Sequence, residues 1–357
     1  MDERISRVLE KMKEKGIDQL LVSDPLSIRF LTGIMVNPGE RLYALLLRTS
    51  GKHTIFLNYL YYVSNTGFEE VWFSDMDDQI GVLTRHIDTK GVLGIDKVFP
   101  ARFLIPLQER CPELKTVWGS DCVDGVRAVK NAEEIEIMKH STEINDLVME
   151  RAAAYIKEGM TEKQIADFID AEYLKEGASG VSFDTIVCFG ANAADQHHTP
   201  SETRTLKAGE CILIDMGCVW HGYCSDMTRT IFIGEPTEEQ KNIYNLVLKN
   251  QKMALNQIRD GANIKTIAKG VESDFNINGQ TLIHSLGHGV GLDIHEAPIV
   301  GIKNDTCLKE NMVITDEPGI YIAGNFGVRI EDTVLVTKKG AIALTESDKE
   351  CIIIEAL

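Results

Sequence analysis

Hydrophobic positions in the first 125 residues switch repeatedly between two periods. Ile5, Val8, Leu9 and Met12 recur at three- and four-residue spacing, the stripe of an amphipathic helix, and Gly16 follows as its stop. Gln19–Val22, Tyr43–Arg48, His53–Phe56 and Val92–Ile95 are short, nearly continuous apolar runs that predict strands. The second and third of these flank a turn around Thr49, Ser50 and Gly51. Helix and strand alternate, so this part is expected to be a small α/β module.

The pattern changes near residue 125. Ala132–Tyr155 contains neither Gly nor Pro and predicts a long helix, closed by Gly159. Thr161 with Gln164, and Thr237 with Gln240, have capping-box spacing, each ahead of a helical apolar stripe: Ile165, Phe168 and Ile169, then Ile243, Leu246 and Val247. Ile186–Phe189, Cys211–Met216, Met227–Ile233, Met312–Thr315 and Val328–Thr337 read as strands. Hairpins beside long amphipathic helices predict an α+β domain whose helices lie on a largely antiparallel sheet. The expected division is therefore 1–125 and 126–357.

Composition is that of a globular chain, 44% apolar and 25% charged. With 37 Lys and Arg against 54 Asp and Glu the net charge is −17, which disfavours nucleic-acid partners and anionic membrane surfaces. The longest apolar run, about Tyr43–Leu47, is far shorter than a membrane span, and the charged N-terminus is unlike a signal peptide. A cytoplasmic location is expected. The eight cysteines form no Cys-x-x-Cys pair and are expected to be reduced thiols.

Five segments of the second half place acids or imidazoles on or just after apolar strands. Asp215 ends the run Cys-Ile-Leu-Ile, and Asp226 stands eleven residues later, before Met-Thr-Arg-Thr230. A desolvated lone carboxylate costs several kcal/mol unless donors or a cation meet it, so Asp215 either caps a turn or holds a cation. His284, His288 and His295 lie within twelve residues, three of the chain's nine histidines. The glycines among them, Gly287, Gly289 and Gly291, lack the Lys and Ser or Thr ending of a phosphate loop and the spacing of a dinucleotide loop. Asp316 and Glu317 close another apolar run before Pro318, and Arg329 and Glu331, two apart, share one face of an expected strand. Four carboxylates (Asp215, Asp226, Glu317, Glu331) and one imidazole (His288) around a sheet call for cations, and two divalent ions balance the four negative charges. Oxygen-dominated ligation makes Mn(II) or Co(II) the expected ions, with Zn(II) and Fe(II) as alternatives.

The motifs ILIDMG, CSDMTRT, HSLGHGVGLDIHE, TDEPGIYI and VRIEDT, in that order over residues 211–336, resemble the metallopeptidase family of prolidases, aminopeptidases P and methionine aminopeptidases. The resemblance implies a pita-bread catalytic domain, and the first 125 residues resemble the creatinase-like domain that precedes it in the Xaa-Pro-cleaving branch. It implies Asp215 as a ligand of one metal, Asp226 and Glu331 as bridges, and His288 and Glu317 as ligands of the other. A hydroxide between the metals would be the nucleophile, with Glu317 also the general base. His295 would steady the carbonyl oxygen, His284 would line the pocket beyond the scissile bond, Arg329 would orient neighbouring carboxylates, and Thr230 would hydrogen-bond a ligand. A histidine upstream of the first Asp contacts substrate in this family. An ungapped count of seventeen residues back from Asp215 selects His198 over His197, although the Pro usual before it is missing here.

The implied substrates are peptides or dipeptides with proline in second position, and a homodimer is expected by analogy. An Xaa-Pro bond lacks an N–H and isomerises readily, so its hydrolysis needs a dedicated pocket and a proton donor for the leaving nitrogen. Dipeptidase and aminopeptidase remain open, with Lys303 and Lys309 the only cations between His295 and Glu317. The competing readings are a non-catalytic binding or scaffold protein on the same fold, methionine aminopeptidase-like specificity, and metal-free amidine hydrolysis.

Overall fold

In the computed structural model, which describes residues 2–355, the chain divides into two compact units, Met1–Arg127 and Ala128–Leu357. Met1 and Ala356–Leu357, the outermost residues of the two expected domains, lie outside the described residues. The division falls at 127/128 rather than 125/126, because residue 125 is inside a helix of the first unit.

The first unit runs α1 (Asp2–Glu14), β1 (Gln19–Val22), α2 (Pro25–Thr32), β2 (Ala44–Arg48), β3 (Thr54–Asn58), β4 (Glu69–Phe73), α3 (Gln79–Thr84), β5 (Val92–Ile95), α4 (Ala101–Arg110), β6 (Lys115–Trp118) and α5 (Asp121–Arg127). Its six strands form one mixed sheet in the order β4-β3-β2-β1-β5-β6. The stripe Ile5, Val8 and Met12 of α1 is buried, and Gly16, at φ +66°, turns the chain out of the helix. At the end of α5 the buried Arg127 guanidinium pairs with Asp24 at 2.9 Å.

The second unit runs α6 (Ala132–Tyr155), α7 (Glu162–Lys175), β7 (Ile186–Phe189), a 3₁₀ turn (Gly190–Ala194), β8 (Cys211–Met216), β9 (Val219–Trp220), β10 (Tyr223–Cys224), β11 (Met227–Ile233), α8 (Glu238–Leu255), α9 (Ile264–Ile277), β12 (Gly287–Gly289), β13 (Glu296–Val300), β14 (Val313–Asp316), β15 (Gly319–Ile322), β16 (Phe326–Arg329), β17 (Asp332–Val336), β18 (Ala341–Ala343) and β19 (Ile352–Ile354). Both expected capping boxes form, and α6 has a third, Asn131 with Glu134. The sheets are β19-β11-β8-β7 and β13-β12-β14-β17-β18, with β15–β16 and β9–β10 as separate hairpins. Among the described residues only the β11–β19 pairing in this unit is parallel.

Strand parity aims the chemistry. Ile212, Ile214 and Met216 of β8 pack in the core with Ile144 and Val148 of α6 and Ile165 and Ile169 of α7. The alternate residues Cys211 and Leu213 join the other core, and Asp215 shares their face. On β14, Ile314 packs with Tyr244 and Val247 of α8 and Val271 of α9, so Thr315 and then Glu317 turn to the opposite face. The acids of the two sheets are thereby directed away from the covering helices and toward one another. The expected strand Val328–Thr337 is instead two strands. Its first part pairs with β15 and its second with β14, and the chain changes sheets at Ile330 and Glu331.

Candidate metal centre

Asp215 faces Thr228 across the β8–β11 ladder, and Asp226 immediately precedes β11. Asp215 Oδ2 accepts from Arg329 Nη2 at 2.5 Å, whereas its buried Oδ1 meets no donor among the described residues. The backbone N–H bonds of a capped turn are therefore not what satisfies Asp215. On β12, His288 Nδ1 donates to its neighbour Gly289 O at 3.1 Å, which leaves Nε2 as the free ligating nitrogen. That Nε2 lies 3.3 Å from Glu317 Oε1 and 3.5 Å from Asp226 Oδ2. One ligating atom each from Asp226, His288 and Glu331 falls within 4.8 Å of the others.

The glycines beside His288 have a steric reason. A Cβ on Gly287 would lie 2.1 Å from Thr315 O, and one on Gly289 would lie 2.2 Å from Ala297 O. The strands that flank β12 approach its backbone too closely for any side chain at those positions.

Packing so many acids together perturbs them in one direction. Burial, then Asp215 and Glu317, hold Asp226 well above the ordinary carboxylate range. Burial, then Asp226 and Glu317, do the same to Glu331. Burial also raises Glu317, against the opposing pull of His284 and Arg329. Buried acids that repel one another, a lone imidazole nitrogen and an orphaned carboxylate oxygen suit divalent cations, which supply the missing positive charge. The donor set fits a metal.

Around these groups Thr228 Oγ1 donates to Glu331 Oε2 at 2.6 Å and accepts from Arg329 Nε at 3.0 Å. Arg329 Nη1 donates to Tyr321 Oη at 2.9 Å, and Tyr321 Oη lies 2.9 Å from His284 Nε2. His284 Nδ1 donates to Ser285 O, so the tyrosine proton points to Nε2 and the chain of bonds has one consistent direction. Thr230, expected to support a ligand, instead exchanges hydrogen bonds with the backbone of Arg329, at 3.0 and 3.2 Å. Thr228 has that task because it is level with Asp215 in the ladder. It sits in the same motif, two residues earlier on the same strand face, and the spacing could not separate the two. Tyr321 lies within the segment TDEPGIYI, where spacing alone gives it no role.

The histidines divide unequally. The rings of His288 and His295 lie 4.3 Å apart, and burial lowers the pKa of His295, with His288 adding to it. Burial also lowers His284. His197 is exposed and is one of the charges that lower both His284 and His295, so it stands on their side. His198, the choice of the ungapped count, has its Nε2 2.8 Å from Oε2 of Glu162 at the start of α7.

Residues 136–338 match Metallopeptidase family M24, and residues 4–129 match the Creatinase/Prolidase N-terminal domain. The chain belongs to metallopeptidase family M24. Members of the family similar to it include an uncharacterized peptidase of Staphylococcus haemolyticus, 36% identical over 97% of this chain and 99% of that one. Among solved M24-like structures, recombinant prolidase from Thermococcus sibiricus is 33% identical, with TM-score 0.91 and 99% of each chain covered. X-Pro aminopeptidase from Thermotoga maritima is 31% identical, with TM-score 0.78, covering 96% of this chain and 100% of that chain. The second unit is thus a pita-bread domain behind a creatinase-type first unit, and as an M24 metallopeptidase the protein uses a divalent metal. Among the described residues no helix is long and apolar enough to cross a membrane, and all eight cysteines are free thiols.

Proposed function

We propose that this chain hydrolyses Xaa-Pro peptide bonds, with two divalent cations held by Asp215, Asp226, His288, Glu317 and Glu331. The observation that carries the reading is the convergence of buried, mutually repelling acids on His288 Nε2, beside an Asp215 oxygen that no donor meets. When bound, the cations would lower the pKa of water and polarise the peptide carbonyl. Glu317, whose Oε1 is oriented by Thr315 Oγ1 at 3.0 Å, takes the proton of the attacking water. His295, kept neutral by its lowered pKa, donates an N–H to the oxygen that becomes negative. His284, fixed by Ser285 O and Tyr321 Oη, forms the wall beyond the scissile bond. His197, on the same side as these two, protonates the prolyl nitrogen as it leaves.

The similarity to a prolidase and to an X-Pro aminopeptidase over nearly the whole chain supports proline specificity. Those enzymes' first-unit counterparts also favour the Xaa-Pro branch over methionine aminopeptidases, and the intact ligand set speaks against a scaffold role. The test is hydrolysis of Ala-Pro and Ala-Pro-Ala by metal-stripped protein reloaded with Mn(II). Turnover of either substrate, lowered at least about a hundredfold by Glu317→Gln, is expected. No turnover with Mn(II), Co(II), Zn(II) or Fe(II), or full turnover by the variant, would overturn the proposal. Ala-Pro cleavage alone defines a dipeptidase, and preferred cleavage of Ala-Pro-Ala an aminopeptidase. Cytoplasmic location and a homodimer accompany the proposal, the latter checked by light scattering.

A further inference from the structure

Glu162 lies outside every motif that carries the proposed chemistry, yet its side chain is fully enclosed. A buried carboxylate is tolerated only where donors replace its water, and Glu162 collects four. Oε1 accepts from Phe189 N at 2.8 Å and Asn192 Nδ2 at 2.9 Å. Oε2 accepts from Ser201 N at 2.9 Å and from His198 Nε2 at 2.8 Å. Because a carboxylate can only accept, His198 must carry its proton on Nε2. The four donors come from both ends and the middle of segment 189–201, so one side chain of α7 ties down the whole loop that carries His197.

The opposite side of the loop is held as tightly. A Cβ on Gly327 would lie 1.8 Å from Ala193 O, so β16 and the 3₁₀ turn touch backbone to backbone. Two residues further on, β16 delivers Arg329 to Asp215. The loop is therefore clamped between Glu162 and the strand that orients a candidate ligand. His197 is the only one of the paired histidines left outside the clamp: its backbone N–H bonds Asp195 Oδ1 and its ring is exposed.

We infer that Glu162 and His198 form a positioning pair that fixes His197 toward the substrate, so that the two adjacent histidines divide the work between anchoring and proton transfer. This deepens the proposed Xaa-Pro reading and rests on it for its kinetic test. His198→Ala removes the donor to Glu162 Oε2, whereas His198→Gln keeps an amide N–H of comparable reach.

In the Mn(II)-loaded protein His198→Ala is expected to lower kcat for Ala-Pro or Ala-Pro-Ala by about tenfold, with KM changed less. His198→Gln restores most of the loss. In a His197→Ala background the same His198→Ala change costs less than about twofold, because the group it positions is already gone. A loss of equal size in both backgrounds, or no loss from His198→Ala in the wild-type background, would overturn the inference. A second readout needs neither metal nor turnover. In metal-free protein with isotope-labelled histidine, the His197 ring signals are expected to move on His198→Ala and Glu162→Gln and to stay on His198→Gln. Unmoved His197 signals in the first two variants refute the positioning pair. Absent hydrolysis by the wild-type chain with moving His197 signals refutes the Xaa-Pro reading alone.

Discussion

Arg329→Met tests whether Asp215 is both a buried ion-pair partner and a metal ligand. Arg329 is buried and spends its three nitrogens on Asp215 Oδ2, Thr228 Oγ1 and Tyr321 Oη. Methionine keeps most of the volume and removes every donor. In metal-free protein Asp215 would then lose the one cation that pairs with it among the described residues, where its Oδ1 already meets no donor, and breaking a buried pair in this way costs about 3–5 kcal/mol. At about 2–4 °C per kcal/mol for a unit of this size, Tm falls by about 10 °C. With Mn(II) bound, the cation meets Asp215 and relieves much of that cost, while the two charge-assisted hydrogen bonds to Thr228 Oγ1 and Tyr321 Oη are lost equally in both conditions. The variant should therefore be destabilised about 2 kcal/mol more in chelator than in excess Mn(II), measured by thermal or guanidinium unfolding followed by circular dichroism. An equal cost in both conditions would refute Asp215 as a ligand, and a cost below about 1 kcal/mol in chelator would refute the buried pair.

The metal-free protein should lose stability as pH rises above the ordinary carboxylate range. Burial raises both Asp226 and Glu331 on folding, with Asp215 and Glu317 adding to the first and Asp226 and Glu317 to the second, so the folded state binds more protons than the unfolded one in that window. Each such group contributes a slope of up to about −1.4 kcal/mol per pH unit, and saturating Mn(II) should abolish it. A chelated protein with a flat unfolding profile between pH 5 and 8 would contradict the coupling. Gly287→Ala should cost about 3 kcal/mol and weaken metal uptake, because the new methyl would meet the Thr315 carbonyl at 2.1 Å and force β12 from β14. Wild-type Tm and metal content in that variant would show that the strands can separate freely.

Much of this was legible because the relevant signals are local. Helix α6, both capping boxes, the strand carrying Asp215 and the strand that follows Asp226 are short-range patterns, and Asp215 stood out because little else excuses a carboxylate ending an apolar run. Three features depended on tertiary context instead. The break between Arg329 and Asp332 exists because two different sheets compete for one apolar stretch. The choice of Thr228 over Thr230 depends on ladder register, which no single strand contains. Glu162 resembled an ordinary acidic first-turn residue, and only the folding back of segment 189–201 makes it a hub.

The two acidic dipeptides show how one sheet carries this much charge. In Asp316-Glu317 and Glu331-Asp332 the outer members oppose each other across β14 and β17, and side chains alternate, so Glu317 and Glu331 go to one face and Asp316 and Asp332 to the other. On the back face the chain supplies its own counter-charges: Arg229 Nη2 donates to Asp332 Oδ1 at 2.9 Å, Lys349 pairs with Oδ2, and Gln251 and Thr345 add two further bonds. Asp316 beside it has no donor among the described residues, and burial with the Asp332 charge pushes its pKa far up. On the front face Arg329 is the one cation shown among the candidate ligands, and it reaches only Asp215. Of the carboxylates on the two faces of one ladder, Asp332 is thus matched by the chain's own cations, whereas Glu317 and Glu331 pair with no Lys or Arg among the described residues. The uncompensated side is the one that shares its space with three imidazoles, and that asymmetry is what makes it the candidate metal side.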